Sequence, residues 1–407
     1  MRRAMLSCIL AVFLAATGAI PAFAKITHVA PTNEGSANPT YFATQHRIAV
    51  TSKGRLLVIH GRHSRGVQVR WKNAGSSTWN TTTKGAVTDG MLLDGTGSGD
   101  WPSSIQVGKG PDGKQRAWVV MGDVNFVSKN PIRMRVLTGL DSAGGPTVGP
   151  LVVVDDAALG DAFVDLALER RPSRGLRGAI VFVRRVDQST WKVVVKWFRN
   201  LGTTAPSFVG THTILSSSSG RKQSTIVPTS RGLSLLVRGA DGAITRYVHD
   251  RRKALTKWSR KGVGVRAVSK AKPTATGLSN GDVVMAVEDK VVAGHVTVQR
   301  FKPGGGVTTF LKMSGYSMPT IASNQRDVWI VMIRDSDGFV VSRHFSPLSG
   351  WGKIRVEVGS GQGGHYQWPN ALRTSAGRLR FVVRAGASGS SRSGVIAVDR
   401  AARRVTP

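Results

Sequence analysis

One phrase recurs along this chain of 407 residues: an apolar run that closes on arginine. It stands at Val181-Phe182-Val183-Arg184, Leu235-Leu236-Val237-Arg238, Val331-Met332-Ile333-Arg334 and Phe381-Val382-Val383-Arg384, and the stretch from Gly54 closes in the same way on Gly61-Arg62. Runs this short, rich in β-branched residues and separated by Gly-bearing turns, are strands rather than helices. A strand that keeps returning with the same ending implies a repeated sheet, with its arginines gathered at one rim.

Other phrases return in step with the first. Thr51-Ser52-Lys53-Gly54, Thr229-Ser230-Arg231-Gly232 and Thr374-Ser375-Ala376-Gly377 are near-copies of one turn, each leading into an apolar strand. A proline phrase precedes the first strand of a unit: Trp101-Pro102-Ser103, Lys272-Pro273-Thr274, Met318-Pro319-Thr320 and Trp368-Pro369-Asn370. A third strand ends in a basic and an aromatic residue, as at Arg70-Trp71, Arg246-Tyr247 and Arg300-Phe301, and a fourth begins with Trp79, Trp258 or Trp351. Four strands per unit, with units starting near residues 40, 101, 161, 222, 271, 318 and 367, predict an all-β chain folded as a single β-propeller of about seven blades, alternatively six. The last unit runs short after Val398. Ile26-Thr27-His28-Val29 is expected to supply its outer strand and close the ring, removing an open edge.

Residues 1–24 stand apart from this pattern. Arg2 and Arg3, an apolar stretch from Leu6 to Ile20 and Ala22-Phe23-Ala24 have the form of a secretory signal peptide, which leaves residues 25–407 as the propeller domain. The only cysteine, Cys8, lies in that segment, so the exported chain is expected to carry neither disulfides nor cysteine-ligated metal. No later stretch has the length of a membrane span. The expected product is a secreted monomer, extracellular or periplasmic.

Charge indicates the partner. Lys and Arg number 57 against 23 Asp and Glu, a formal net charge of +34 that falls by only two without Arg2 and Arg3. Such an excess concentrates polyanions and makes their binding salt-dependent. An acidic glycan or another polyanion is the expected partner.

His46-Arg47-Ile48-Ala49-Val50, followed by Gly54-Arg55-Leu56-Leu57-Val58-Ile59-His60-Gly61-Arg62, resembles the opening of the sialidase or BNR-repeat superfamily of β-propellers. Asn73-Ala74-Gly75-Ser76-Ser77-Thr78-Trp79 is similar to that family's Asp-box, with Asn in place of Asp and one extra residue. The likeness is best over residues 40–82 and 222–260. It implies three arginines holding a carboxylate, for which Arg47, Arg238 and Arg334 match, and a tyrosine nucleophile, for which Tyr366 is placed. It also implies an acid in the loop after Arg62 and a glutamate before Ile226. Residues 62–79 contain no carboxylate, and Lys222, Gln223 and Ser224 stand at the second place.

The residues themselves support binding more directly than catalysis. Glycoside hydrolysis needs two flanking carboxylates, and the freest acid here is Asp123. A uronate lyase instead needs a cation and a His or Tyr base, which His63 or Tyr366 would provide. Guanidinium forks match carboxylate, sulfate or phosphate oxygens, so Arg47, Arg62, Arg184, Arg238, Arg334 and Arg384 are the candidate ligand residues. Trp101 and Trp368, beside rim prolines, are candidate stacking platforms. No spacing of His, Cys, Asp or Glu suits zinc, and no cofactor is expected. The leading expectation is a sialidase-like propeller that binds an anionic carbohydrate. The alternatives are a glycan-cleaving enzyme, either a divergent sialidase-type glycosidase or a uronate lyase, and a non-catalytic propeller that contacts protein or nucleic acid.

Overall fold

The computed structural model describes residues 25–36, 46–62, 66–93, 102–122, 131–156, 161–171, 175–187, 189–199, 201–217, 223–268, 273–290, 294–324, 326–359, 365–373, 378–386 and 392–400. The expected signal segment, residues 1–24, lies outside them. Among the described residues there is no helix, and the strands form a seven-bladed propeller of four-stranded antiparallel blades. The inner strands are Ile48–Val50, Ser103–Lys109, Asp161–Arg171, Gln223–Thr229, Thr274–Gly277, Tyr316–Asn324 and His365–Arg373 for blades 1 to 7. Each touches the next and the seventh touches the first, closing the ring.

The expected closure is present. Lys25–Ser36 lies antiparallel to Arg392–Arg400, with Ile26 opposite Val398 and His28 opposite Ile396, so the N-terminal strand is the outer strand of blade 7. One further pair, Gly35 with Arg62, links it to blade 1.

Alternation along each strand explains the cores. In Gln115–Met121 of blade 2, Ala117, Val119 and Met121 pack back on Leu57 and Ile59 of blade 1, while Trp118 and Val120 pack forward on Leu166, Ile180 and Phe182 of blade 3. A second strand buried on both faces therefore reads as an unbroken apolar run, the origin of the recurring phrase. Inner strands approach closely: at Gly277 of blade 5 an added Cβ would lie 2.1 Å from the carbonyl oxygen of Pro228 in blade 4, which accounts for glycine there.

Polar groups at the turn end of the blades join one blade to the next. Arg55 of blade 1 donates to the carbonyls of Leu140 (2.6 Å) and Ser142 (2.8 Å) in blade 2. Arg116 of blade 2 donates to Gly202 in blade 3. Arg177 of blade 3 pairs with Glu169 and donates to His249 Nε2 in blade 4 at 2.8 Å. His249 Nδ1, 3.2 Å from the Lys257 carbonyl, then carries the proton, which fixes a neutral tautomer.

The closing strand sets a test. Val29 is buried between blades 7 and 1, so Val29→Asp is expected to cost about 3 kcal/mol or more in chemical denaturation. Ser259→Asp on the exposed outer strand of blade 4 should stay within about 0.5 kcal/mol.

Candidate functional site

Antiparallel register brings the ends of second strands and the starts of inner strands to one rim. Arg238 lies opposite Gln223, Arg334 opposite Tyr316, Arg384 opposite Gln367 and Arg184 opposite Asp161. Arg62 ends the second strand of blade 1, and the Arg47 carbonyl accepts from Ile59 N at 2.9 Å beside it. All six candidate arginines therefore share this rim.

They do not share one cleft. Strand alternation carries a second-strand arginine to the same face as the apolar residue two positions earlier. Val58, four positions before Arg62 on the same face, and Val382, two before Arg384, belong to the core between blades 7 and 1, so Arg62 and Arg384 face that seam. Phe182 directs Arg184 between blades 2 and 3, Leu236 directs Arg238 between blades 4 and 5, and Met332 directs Arg334 between blades 5 and 6.

Most also have a partner at hand. Arg62 pairs with Asp89, Arg384 donates to Gln367 Oε1, and Arg47 donates to Ser103 Oγ. Arg184 pairs with Asp155, which Lys196 Nζ also reaches at 3.0 Å. Arg334 Nε donates to both oxygens of Asp337 at 3.0 Å and holds that carboxyl below its ordinary range.

Arg238 differs. The residue is 7 % exposed, its Nε has no hydrogen-bond partner among the described residues, and burial pushes its pKa down against the pull of Asp241. Opposite it, Gln223 is equally buried and its Oε1 is likewise without a partner. A buried cation whose burial outweighs the pull of its counter-charge costs folding energy that an incoming anion recovers.

A second arrangement lies between blades 1, 3 and 4. Asp165 is fully buried: Oδ1 accepts from Leu166 N at 2.9 Å and Oδ2 from Thr225 Oγ1 at 2.9 Å and Ile226 N at 3.1 Å. His46 Nδ1 is 3.3 Å from Oδ1, and because an ionised carboxylate only accepts, this contact places the proton on Nδ1 and leaves Nε2 as the basic nitrogen. His46 also holds blade 2 through its carbonyl, which accepts from Ile105 N at 2.7 Å.

The proline phrase marks a backbone feature of the same rim. Register shifts interrupt the inner strands of blades 3, 6 and 7 between Ala162 and Asp165, Ser317 and Thr320, and Gln367 and Asn370. Pro319 and Pro369 sit in two of these bulges, where a missing N–H breaks no ladder bond. Phe163 and Met318 adopt φ of +55° and +48°, a conformation uncommon outside glycine. Met318 N donates to Glu288, whose carboxyl is held above its usual range by burial and by nearby Asp335.

Tyr366 is placed away from the rim opening. Its ring is in the core between blades 6 and 7, and its hydroxyl donates to the Gly359 carbonyl at 2.9 Å. Trp368 lies in the bulge of blade 7, while His63, Asp123 and Trp101 fall outside the described residues. Among the described residues, no three His, Cys, Asp or Glu are grouped as metal ligands. Sequence reasoning passed over Asp165 and the pairing role of His46. The signal was an acid inside the apolar run Ala162-Phe163-Val164-Asp165-Leu166-Ala167, where a charge is buried and must be partnered.

No family model matches the chain, and no curated protein does. Solved structures similar to it include the fucose-specific lectin from Aleuria aurantia, at a TM-score of 0.49 and 12% identity over 81% of this chain and 98% of that one. A protein of unknown function from Dyadobacter fermentans has a TM-score of 0.45 and 11% identity over 93% and 99%. Trypanosoma rangeli sialidase with the inhibitor DANA has a TM-score of 0.46 and 10% identity over 72% of this chain and 54% of that one.

Asp165 and Asp89 make contrasting predictions. Asp165→Ala orphans buried donors from blades 3 and 4 and is expected to cost about 3 kcal/mol. Asp89→Asn relaxes an exposed pair and should cost about 1 kcal/mol or less, both read from denaturant midpoints.

Proposed function

We propose that this protein is an exported propeller that binds an anionic carbohydrate at the rim carrying the arginine phrases, with Arg238 as the group that meets the ligand's carboxylate or sulfate. The observation that carries the reading is the burial of Arg238, whose Nε has no hydrogen-bond partner among the described residues, beside the unpartnered Gln223 oxygen. A carboxylate entering the cleft between blades 4 and 5 accepts from the guanidinium, and a neighbouring sugar hydroxyl donates to Gln223 Oε1. Carbohydrate supplies both groups on one ring. The large positive excess gathers such polymers before the cleft selects among them.

A glycan array probed at low and high salt tests this. Selectivity for uronate, sialate or sulfated sugars should persist at high salt if the cleft does the selecting. Arg238→Ala should weaken the preferred glycan by at least about tenfold, and Arg238→Lys should recover only part, because an ammonium lacks the planar fork. The denaturation midpoint of Arg238→Ala should stay level or rise, since it removes a buried charge. Arg62→Ala, which breaks a satisfied pair, should leave binding nearly unchanged. If affinity follows total charge alone and vanishes with salt, the protein is instead a general polyanion or protein-contact propeller.

The His46–Asp165 pair favours one second reading. A cation that neutralises a uronate carboxylate, with a carboxylate-oriented imidazole to remove the adjacent proton, is the minimum equipment of a polysaccharide lyase. Incubation with uronate polymers should then release unsaturated product detectable by ultraviolet absorbance, lost in His46→Ala; no product under any condition leaves the binding role alone.

A further inference from the structure

The geometry points to a binding site for a small tetrahedral oxyanion, sulfate or phosphate, in the seam between blades 7 and 1, at the end of the ring opposite the arginine-phrase rim. Here a cavity of about 80 Å³ is lined by Lys25, Lys72, Arg378, Arg380 and Asp399, together with Gly54, Leu56 and residues 73–76. Four cations thus face one carboxylate. The volume is well below the roughly 300 Å³ of ordinary small-molecule pockets and about two to three times the share of one water, so it suits a small ion rather than a sugar.

The cations are built into the structure. Lys72 is 3 % exposed and Arg380 7 %. Lys72 Nζ donates to Thr27 Oγ1 at 3.1 Å and lies 5.0 Å from the Trp79 ring; Trp79 Nε1 donates to the same hydroxyl at 3.0 Å. An ammonium has three donors, so two remain. Asp399 is shared between Arg378 Nε at 3.0 Å and Arg380 Nε at 3.3 Å. Lys25 Nζ donates to the Gly75 carbonyl at 3.0 Å.

Comparison with three other seams shows what this one lacks among the described residues. Arg55, Arg116 and Arg177 lie at this end of second strands, face the following blade and donate to an acceptor on it. Arg380 lies at the same end of Leu379–Gly386, on the same face as Val382, which packs on blade 1. What it meets in the cavity is Lys72, another cation, and its ion pair is with Asp399 on its own blade. Like charges opposed across an interface are unfavourable. One oxyanion between them accepts from both and replaces the missing blade-to-blade acceptor. Burial, together with Lys25, Arg380 and Arg378, lowers the Lys72 pKa to about 8 against the opposing pull of Asp399. A bound dianion restores its proton.

The experiment compares thermal unfolding in sodium sulfate, sodium phosphate and sodium chloride at equal ionic strength, with calorimetric titration of sulfate. Sulfate and phosphate should raise the midpoint beyond chloride, and Lys72→Met and Arg380→Gln should weaken sulfate by at least about tenfold. Sulfate binds no proton in this range, so proton uptake on binding between pH 8 and 9 reports Lys72 and should disappear in Lys72→Met. If Lys72→Met does not fold, Arg378→Gln, at a half-exposed position, carries the same comparison. Equal protection by chloride, an adventitious ion only, overturns the proposal, as does an unchanged response in the folded variants. Equal protection by glucose 6-phosphate overturns the assignment to a free ion in favour of a phosphomonoester. Arg238→Ala should leave all these responses intact, which separates this site from the glycan cleft.

Discussion

Blade faces are the constraint on which this protein depends. Each sheet presents apolar side chains on both sides, and neither side is satisfied until the neighbouring blade covers it. A single blade therefore has no core of its own, and the seven interfaces stand or fall as a ring. With no cysteine after residue 8, the described chain holds together by this packing and by polar contacts between blades. The buried arginines at the turn end matter for that reason. They carry donors from one blade to acceptors on the next.

Arginine thus has two uses here that look alike in sequence. At the turn end, Arg55, Arg116 and Arg177 join blades. At the opposite rim, Arg62, Arg184 and Arg334 each pair with an aspartate, whereas Arg238 forms no ion pair among the described residues. The repeated phrase specifies where a strand ends. What the terminal guanidinium touches depends on segments outside the repeated phrase, such as the turn carrying Asp89 and the end of the strand Val152–Asp155.

That division explains how far the sequence could be followed. Blade starts, the count of seven and the N-terminal closing strand were all present in short-range patterns, because alternation and turn chemistry act over a few residues. The aspartates that pair with Arg62 and Arg184 are separated from them by 27 and 29 positions, and nothing local announces those contacts. Tyr366 is a similar case: its position near the start of a late blade was visible, but its orientation into the core between blades 6 and 7 depends on the bulge at Gln367 to Asn370. Asp165 was within reach. An acid amid apolar neighbours in a strand is costly unless several donors converge on it, as four do here.

The closing strand has a consequence for the order of events in folding. Lys25–Ser36 and Arg392–Arg400 lie at the two ends of the described chain, yet they are neighbours in one sheet. During synthesis the first segment must wait, unpaired, while every intervening blade is made. A chain stopped short of its last blade holds an orphan strand and two bare sheet faces, which are the ingredients of aggregation. Long-range pairing of this kind is slow to form and, once made, gives the ring no loose end from which to unravel.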